Sequence, residues 1–154
     1  EAWVWHKRRT DFHKFWRQVY NSGIARINLY KKYPESLKLV HLLPMVFTVG
    51  IIGTLLLLFF GFLPYLLGTE HIFPVLGNAM AALGCIGLFF ILLYIVALVI
   101  DSTKQNQSLK IGILSIRAAF TQLMGYGCGF LSAWWKRCIL GKSEFSAYNK
   151  TFYK

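Results

Sequence analysis

Charge is scarce in this chain, and negative charge scarcest of all. Only 15% of the 154 residues are charged, with six Asp and Glu against 17 Lys and Arg, a net +11. An ordinary soluble domain carries about 25% charged residues. Hydrophobic residues make up 56%, and mean hydropathy is +0.48. That balance excludes a disordered or collagen-like chain and argues against a soluble globule. With so few carboxylates, no two lie at helical spacing for paired acid–base work.

Cysteine is also sparse. Three are present, none in a Cys-x-x-Cys spacing, so there is neither a disulfide framework nor a metal knuckle. Cys85 and Cys128 fall inside apolar runs and Cys138 follows Trp-Trp-Lys-Arg, so all three read as small packing residues. His6, His13, His41 and His71 are scattered and form no His-x-x-x-His pair, which argues against a metal site. No Gly-rich nucleotide loop follows a strand, no segment repeats, and no secretory signal is visible. The chain opens on Glu1 straight into Ala-Trp-Val-Trp-His, which reads as a piece of a longer protein.

The charge that is present sits at the ends. Residues 1–38 hold nine cations and three acids, a net +6, and residues 136–154 hold five cations and one acid, a net +4. The long middle holds only Lys104, Lys110, Arg117, Glu70 and Asp101. A basic excess points to nucleic acid or an anionic membrane surface. A nearly chargeless middle between basic ends points to the membrane.

Residues 2–8 alternate loosely around Trp3, Val4, Trp5 and His6 and predict a short strand or extended lead-in. Thr10 is the expected N-cap of the next helix, with Asp11 in its first turn. From Asp11 to Lys32 the periodicity is helical. Phe12, Phe15, Trp16, Val19, Tyr20, Gly23, Ile24, Ile27 and Tyr30 share one face, and Lys14, Arg17, Gln18, Asn21, Asn28 and Lys32 the other. Tyr33-Pro34 ends it, because proline disfavours helical geometry in the residue before it. An aromatic, basic, amphipathic helix over 11–34 suits the plane of a bilayer interface, with rings at headgroup depth and cations toward anionic lipid.

Two runs without Asp, Glu, Lys or Arg follow: Leu39–Gly68, thirty residues, and Ile72–Ile100, twenty-nine. A span needs about 20. Pro64 and Gly68 predict a helix end near residues 60–63, Asp101 stops the second run, and the short connection between them predicts an antiparallel transmembrane hairpin (about 39–63 and 74–100). A third apolar stretch, 111–135, is interrupted by Arg117 and Gln122 and ends on the interfacial anchor Trp134-Trp135-Lys136-Arg137. The expected architecture is an all-α membrane protein: a short N-terminal strand, an interfacial helix, a transmembrane hairpin and a third membrane-embedded helix. Positive charge near the spans places the N-terminal side and the 101–110 loop in the cytoplasm. For the third helix the rules conflict: length favours a full span, whereas the basic tail at 136–154 favours a re-entrant or interfacial segment. Its topology and the side of the tail stay open.

Polar residues inside this frame are few. Arg26 falls near Phe15 and Val19, at the edge of the apolar stripe, and Gln18, Ser22 and Arg26 sit four apart as one ridge. A guanidinium there snorkels, pairs, or meets an anion, for which its planar fork suits a phosphate. Gly125 and Gly129 form Gly-x-x-x-Gly, and Gly77, Ala81 and Cys85 a second small-residue ridge; both read as helix packing. Arg117 and Gln122 are expensive within a bilayer and are expected to face the bundle or a polar pocket. Trp16, with Trp134 and Trp135, is expected at the membrane interface.

The residues at 4–34 resemble a known family. Val4-Trp-His-Lys-Arg-Arg-Thr, Arg17-Gln18, Asn21-Ser-Gly23, Ala25-Arg26 and Lys31-Lys-Tyr-Pro34 resemble the segment closing the catalytic domain of membrane-bound glycosyltransferase family 2 enzymes of the GT-A type. Gln122…Gly125-Tyr-Gly-Cys-Gly-Phe130 is similar to a third hydrophobic segment of bacterial members. The resemblance implies that residues 1–10 are the tail end of a catalytic domain holding a nucleotide-sugar site, an Asp-x-Asp motif with Mg or Mn, and a catalytic base. It implies sugar transfer from a nucleotide-sugar to a lipid-linked or polysaccharide acceptor at a bacterial inner membrane. This part alone would be inactive. It also implies that Arg8, Arg9, Arg17, Gln18 and Arg26 lie near the donor pyrophosphate or acceptor phosphate. The Gln-x-x-Arg-Trp motif of related polysaccharide synthases is replaced by Gln18-Val-Tyr-Asn21, which argues against a processive synthase.

Other classes predict different features. A non-enzymatic anchor or assembly subunit would need no upstream Asp-x-Asp domain. A transporter would need mid-membrane polar residues, and the first two runs offer little beyond Thr48, Thr54 and Tyr94. Nucleic-acid binding, mimicked by the aromatic-basic interleaving at 3–33, would require RNA affinity without lipid.

Overall fold

The computed structural model describes residues 11–69, 71 and 74–143. The strand expected at 2–8, Thr10, Arg8 and Arg9 lie outside these residues, as does most of the basic tail. The described residues form four α-helices and no strand: α1 (Phe12–Lys32), α2 (Leu43–Leu66), α3 (Pro74–Asn106) and α4 (Leu109–Trp134). Two 3-10 turns, Pro34–Ser36 and Leu39–His41, lie between α1 and α2, and a π-helical turn, Trp135–Ile139, follows α4. The contacts divide the chain into two compact units, Val46–Arg117 and the remainder.

In the Val46–Arg117 unit, α2 and α3 form an antiparallel hairpin. Its contacts run in steady register: Phe47 meets Tyr94 edge-on at 5.6 Å, Gly87 lies against Thr54, Gly84 against Leu58, Gly61 against Ala81, and the Tyr65 hydroxyl donates to Asn78 Oδ1. The register covers residues 47–65, about 27 Å of helix, close to the roughly 30 Å hydrocarbon thickness of a bilayer. Small residues make the approach possible, since a Cβ on Gly84 would lie 2.8 Å from the Leu58 backbone nitrogen and one on Gly61 would overlap the Ala81 backbone. The α3 ridge is therefore Gly77, Ala81, Gly84 and Gly87. Gly77 and Gly84 are buried, whereas Cys85 is exposed and does not belong to it. Outward-facing residues are apolar on both helices, among them Leu55, Phe59, Phe89 and Val96. Both helices are long and apolar enough to cross a membrane, over Leu39–Leu66 and Pro74–Asn106.

Three boundaries differ from expectation, each for a local reason. α2 runs through Pro64 to Leu66 rather than ending at 60–63. Proline near a C-terminus forfeits only one intrahelical bond. The helix then closes in a Schellman motif, with Gly68 at φ +65°, its N–H donating to Tyr65 O and the Thr69 N–H donating to Pro64 O at 2.9 Å. Asp101 ends the apolar run of α3 but not the helix: its carboxylate accepts from Gln105 Nε2 at 2.9 Å, and a second closure around Gln107, at φ 50°, ends α3 after Asn106. The loop expected at 101–110 thus shrinks to two residues before α4 starts at Leu109. Finally, α1 is capped by Asp11, whose Oδ1 accepts from the His13 N–H at 2.8 Å, and not by Thr10.

Candidate functional site

The other unit holds α1 and residues from Ala118 onward, and its core is Ile24, Ile27, Phe130 and Ala133, joined by Tyr20, Leu37, Leu42, Met45, Tyr126 and Cys138. α1 and α4 run parallel here at a constant offset. Trp16 and Val19 pack on Gly125, and the Tyr20 carbonyl lies where a Cβ of Gly129 would sit. Two turns further, Arg137 Nη1 donates to Asn28 Oδ1 at 2.6 Å, 109 residues apart in sequence, the same separation as Trp16–Gly125 and Tyr20–Gly129. The pairing covers residues 16–28 of α1, about 18 Å. Gly23 contributes from the α1 side, where a Cβ would collide with the Tyr126 carbonyl. Gly125 and Gly129 therefore do bring helices together, and the helix they admit is the amphipathic one.

This pairing redistributes the polar residues of α1. Asn21, assigned to the solvent face by its wheel position, is buried, and Asn28 turns inward to meet Arg137. Lys14, Arg17, Gln18, Lys31 and Lys32 are exposed. The expected ridge of Gln18, Ser22 and Arg26 separates: the Ser22 hydroxyl donates to the Gln18 backbone carbonyl at 3.0 Å, while Arg26 is half-buried and turns toward α4.

Arg26 is the centre of a small polar cluster. Its guanidinium lies beside the Tyr126 hydroxyl, and its charge reaches the imidazole of His41, which also feels Lys38. Burial pushes the Tyr126 phenol above its usual range, and the Arg26 cation opposes that rise. No well-formed hydrogen bond closes on this buried phenolic oxygen. The Tyr126 ring is held in place by stacking on Phe130, with centroids 6.3 Å apart. His41 is fixed by its own turn: the Lys38 N–H donates to Nδ1 at 3.0 Å, and the His41 N–H donates to the Lys38 carbonyl at 2.9 Å. With Nδ1 accepting, the imidazole proton sits on Nε2.

In the same unit an apolar hollow of about 350 Å³ opens between Ile27, Tyr30, Leu37, Leu42, Met45, Phe130, Leu131 and Trp134. Arg26 precedes Ile27 on α1, and His41 precedes Leu42 on the neighbouring turn. The unit therefore holds both an apolar recess and the half-buried cation Arg26, a combination that suits an amphiphile with an anionic head.

The remaining expected residues separate from this cluster. Trp16 is half-buried on Gly125, whereas Trp134 and Trp135 are 41% and 56% exposed. Arg117 and Gln122 are exposed on α4 rather than facing inward; Arg117 borders an apolar hollow with Leu109, Lys110, Ile113 and Leu114. Burial raises the Cys128 thiol, which argues against a thiolate nucleophile there. No group of three His, Cys, Asp or Glu able to hold a metal occurs among the described residues. Sequence reasoning overlooked Tyr126 and His41 as neighbours of Arg26. The offset between α1 and α4, which brings Tyr126 beside Arg26, leaves no short-range signal in the sequence.

Comparison with family models, with curated proteins and with solved structures finds no match for this chain.

Proposed function

We propose that this chain is the membrane-anchoring, acceptor-side part of a glycosyltransferase. In this reading the α2–α3 hairpin crosses the cytoplasmic membrane of a bacterium with the N-terminal side in the cytoplasm. α1 lies at the interface, and a nucleotide-sugar domain outside this chain supplies donor, metal and catalytic base for building a lipid-linked or polysaccharide glycan. The observation that carries the reading is Arg26: a half-buried guanidinium beside Tyr126, in the same unit as an apolar recess that is lined by Ile27, the next residue of α1. A lipid phosphate keeps its hydrocarbon in such surroundings and its charge at the surface. A half-buried guanidinium offers that charge a bidentate partner in a partly dry setting, where positioned cations stabilise phosphoryl groups best.

Arg17 and Gln18 point into solvent, so the reading places them toward the donor side and leaves Arg26 to the acceptor. The test is Arg26→Ala in the full-length protein, assayed for sugar transfer to lipid in membranes. Loss of one positioned donor of this kind costs roughly 100-fold in turnover, and Arg26→Lys recovers only part, because an ammonium lacks the fork. The protein stays membrane-bound in both variants. Wild-type transfer by Arg26→Ala would refute the role.

A further inference from the structure

We infer that α4 does not cross the membrane: its second half lies beside α1 in the same leaflet, and the surface this pair presents is fitted to the anionic headgroup layer on one side of the bilayer. The inference rests on the proposed interfacial placement of α1 and resolves the topology of the third helix and of the tail.

Because Trp16 packs on Gly125, Tyr20 on Gly129 and Asn28 on Arg137, the two helices are parallel neighbours over at least three turns. The contact at Gly129 is with backbone, and Arg137 is tied to Asn28 by a hydrogen bond, so the pair has no slack in which one helix stands upright while the other lies flat. Whatever orientation α1 has, the paired part of α4 shares.

If α4 crossed the bilayer, α1 would cross with it. It would carry Arg17, Arg26 and Lys31 into or through the hydrocarbon, with Gln18 and Ser22 exposed on its outer face. A cation at mid-membrane costs about 3 kcal/mol or more, and an exposed polar face gains nothing from lipid. With both helices in the interface, those cations stand at headgroup depth. α4 itself carries Arg117 and Gln122, both exposed.

Counting sides supports the same arrangement. Two spans return the chain to the side from which it left. α4 then begins on the side of α1, and without a third crossing it ends there. Lys136, Arg137 and Lys142 thereby join Lys14, Arg17, Lys31 and Lys32 on one leaflet. The conflict between helix length and basic tail disappears, because every cation cluster obeys the positive-inside rule. Each Lys or Arg close to an anionic surface adds about 1 kcal/mol of attraction, so the partner that fits this surface is a leaflet rich in anionic phospholipid.

Side-specific labelling tests this in the full-length protein. Cys85, Cys128 and Cys138 are replaced by alanine, and single cysteines are placed at exposed positions: Ser22→Cys on α1, His71→Cys between the spans, Gln105→Cys at the end of α3 and Ser143→Cys after α4. An impermeant maleimide is applied to sealed right-side-out and inside-out vesicles. The expected result is that positions 22, 105 and 143 react from one side and position 71 from the other. Position 143 reacting from the opposite side to position 22 would overturn the inference while leaving the interfacial α1 intact. Positions 22 and 71 reacting from the same side would instead overturn the hairpin reading on which it rests. If the cysteine-free protein fails to fold, a C-terminal epitope tag on the natural sequence, tested for protease protection in the same vesicles, decides the side of the tail in the same way.

Discussion

The closeness of α1 and α4 can be tested by one methyl group. Gly129→Ala places a Cβ against the Tyr20 backbone carbonyl, an obstacle that no rotamer change can move. Overpacking of this kind costs about 1–3 kcal/mol, and a backbone obstacle belongs at the upper end. Alanine returns about 1 kcal/mol through its better helix propensity. The net expectation is a loss of about 2 kcal/mol, roughly a 30-fold shift in the folding equilibrium of the pair. Gly50→Ala is the matched control: nothing lies within 4 Å of its Cβ position, so only the propensity gain applies. Full-length protein in lipid nanodiscs would be heated while tryptophan fluorescence is followed, since Trp16 and Trp134 border the contact. Gly129→Ala should melt below wild type and Gly50→Ala at or above it. If Gly129→Ala melts with or above Gly50→Ala, the helices are not in backbone contact, and the shared orientation deduced from that contact fails with it.

Further outcomes follow from single contacts. Asn28→Ala and Arg137→Ala should each destabilise, and their double-mutant cycle should show a coupling of about 1 kcal/mol, measured by denaturant or heat, because the two side chains share one hydrogen bond. Tyr126→Phe removes a buried hydroxyl that lacks a well-formed hydrogen bond, so stability should change by less than about 1 kcal/mol; sugar transfer should fall, because Arg26 loses the group beside it. Gly84→Leu should break the α2–α3 hairpin, seen as loss of membrane-integrated protein, since the Leu58 backbone stands 2.8 Å from the Cβ position, whereas Gly53→Leu, facing open space, should be tolerated.

The helices were legible because their signals are local. Charge-free runs mark α2 and α3, Pro34 and Gly68 mark ends, and the aromatic stripe of α1 identifies its inner face. Boundaries failed where capping outweighed composition, as at Pro64, where a Schellman closure carries the helix past the proline, and at Asp101, where Gln105 lets the helix outlast its apolar run. The site was only half legible. Arg26 stood out as a cation on an apolar edge, but its neighbours Tyr126 and His41 come from segments set by tertiary packing. Asn21 and Asn28 look solvent-facing on a wheel that treats α1 as a lone amphipathic helix. They turn inward because the true partner surface is a glycine-lined helix that admits polar side chains, one of them bonded to Arg137.

Everything functional depends on α1 lying flat at the lipid boundary with Arg26 at headgroup depth. Nitroxide labels placed one at a time along residues 12–32 of the full-length protein, with depth read from oxygen and nickel accessibility, measure this directly. The predicted profile oscillates with a helical period about one shallow, constant mean. A depth that increases steadily along the helix, or full exposure to water at every position, would contradict it.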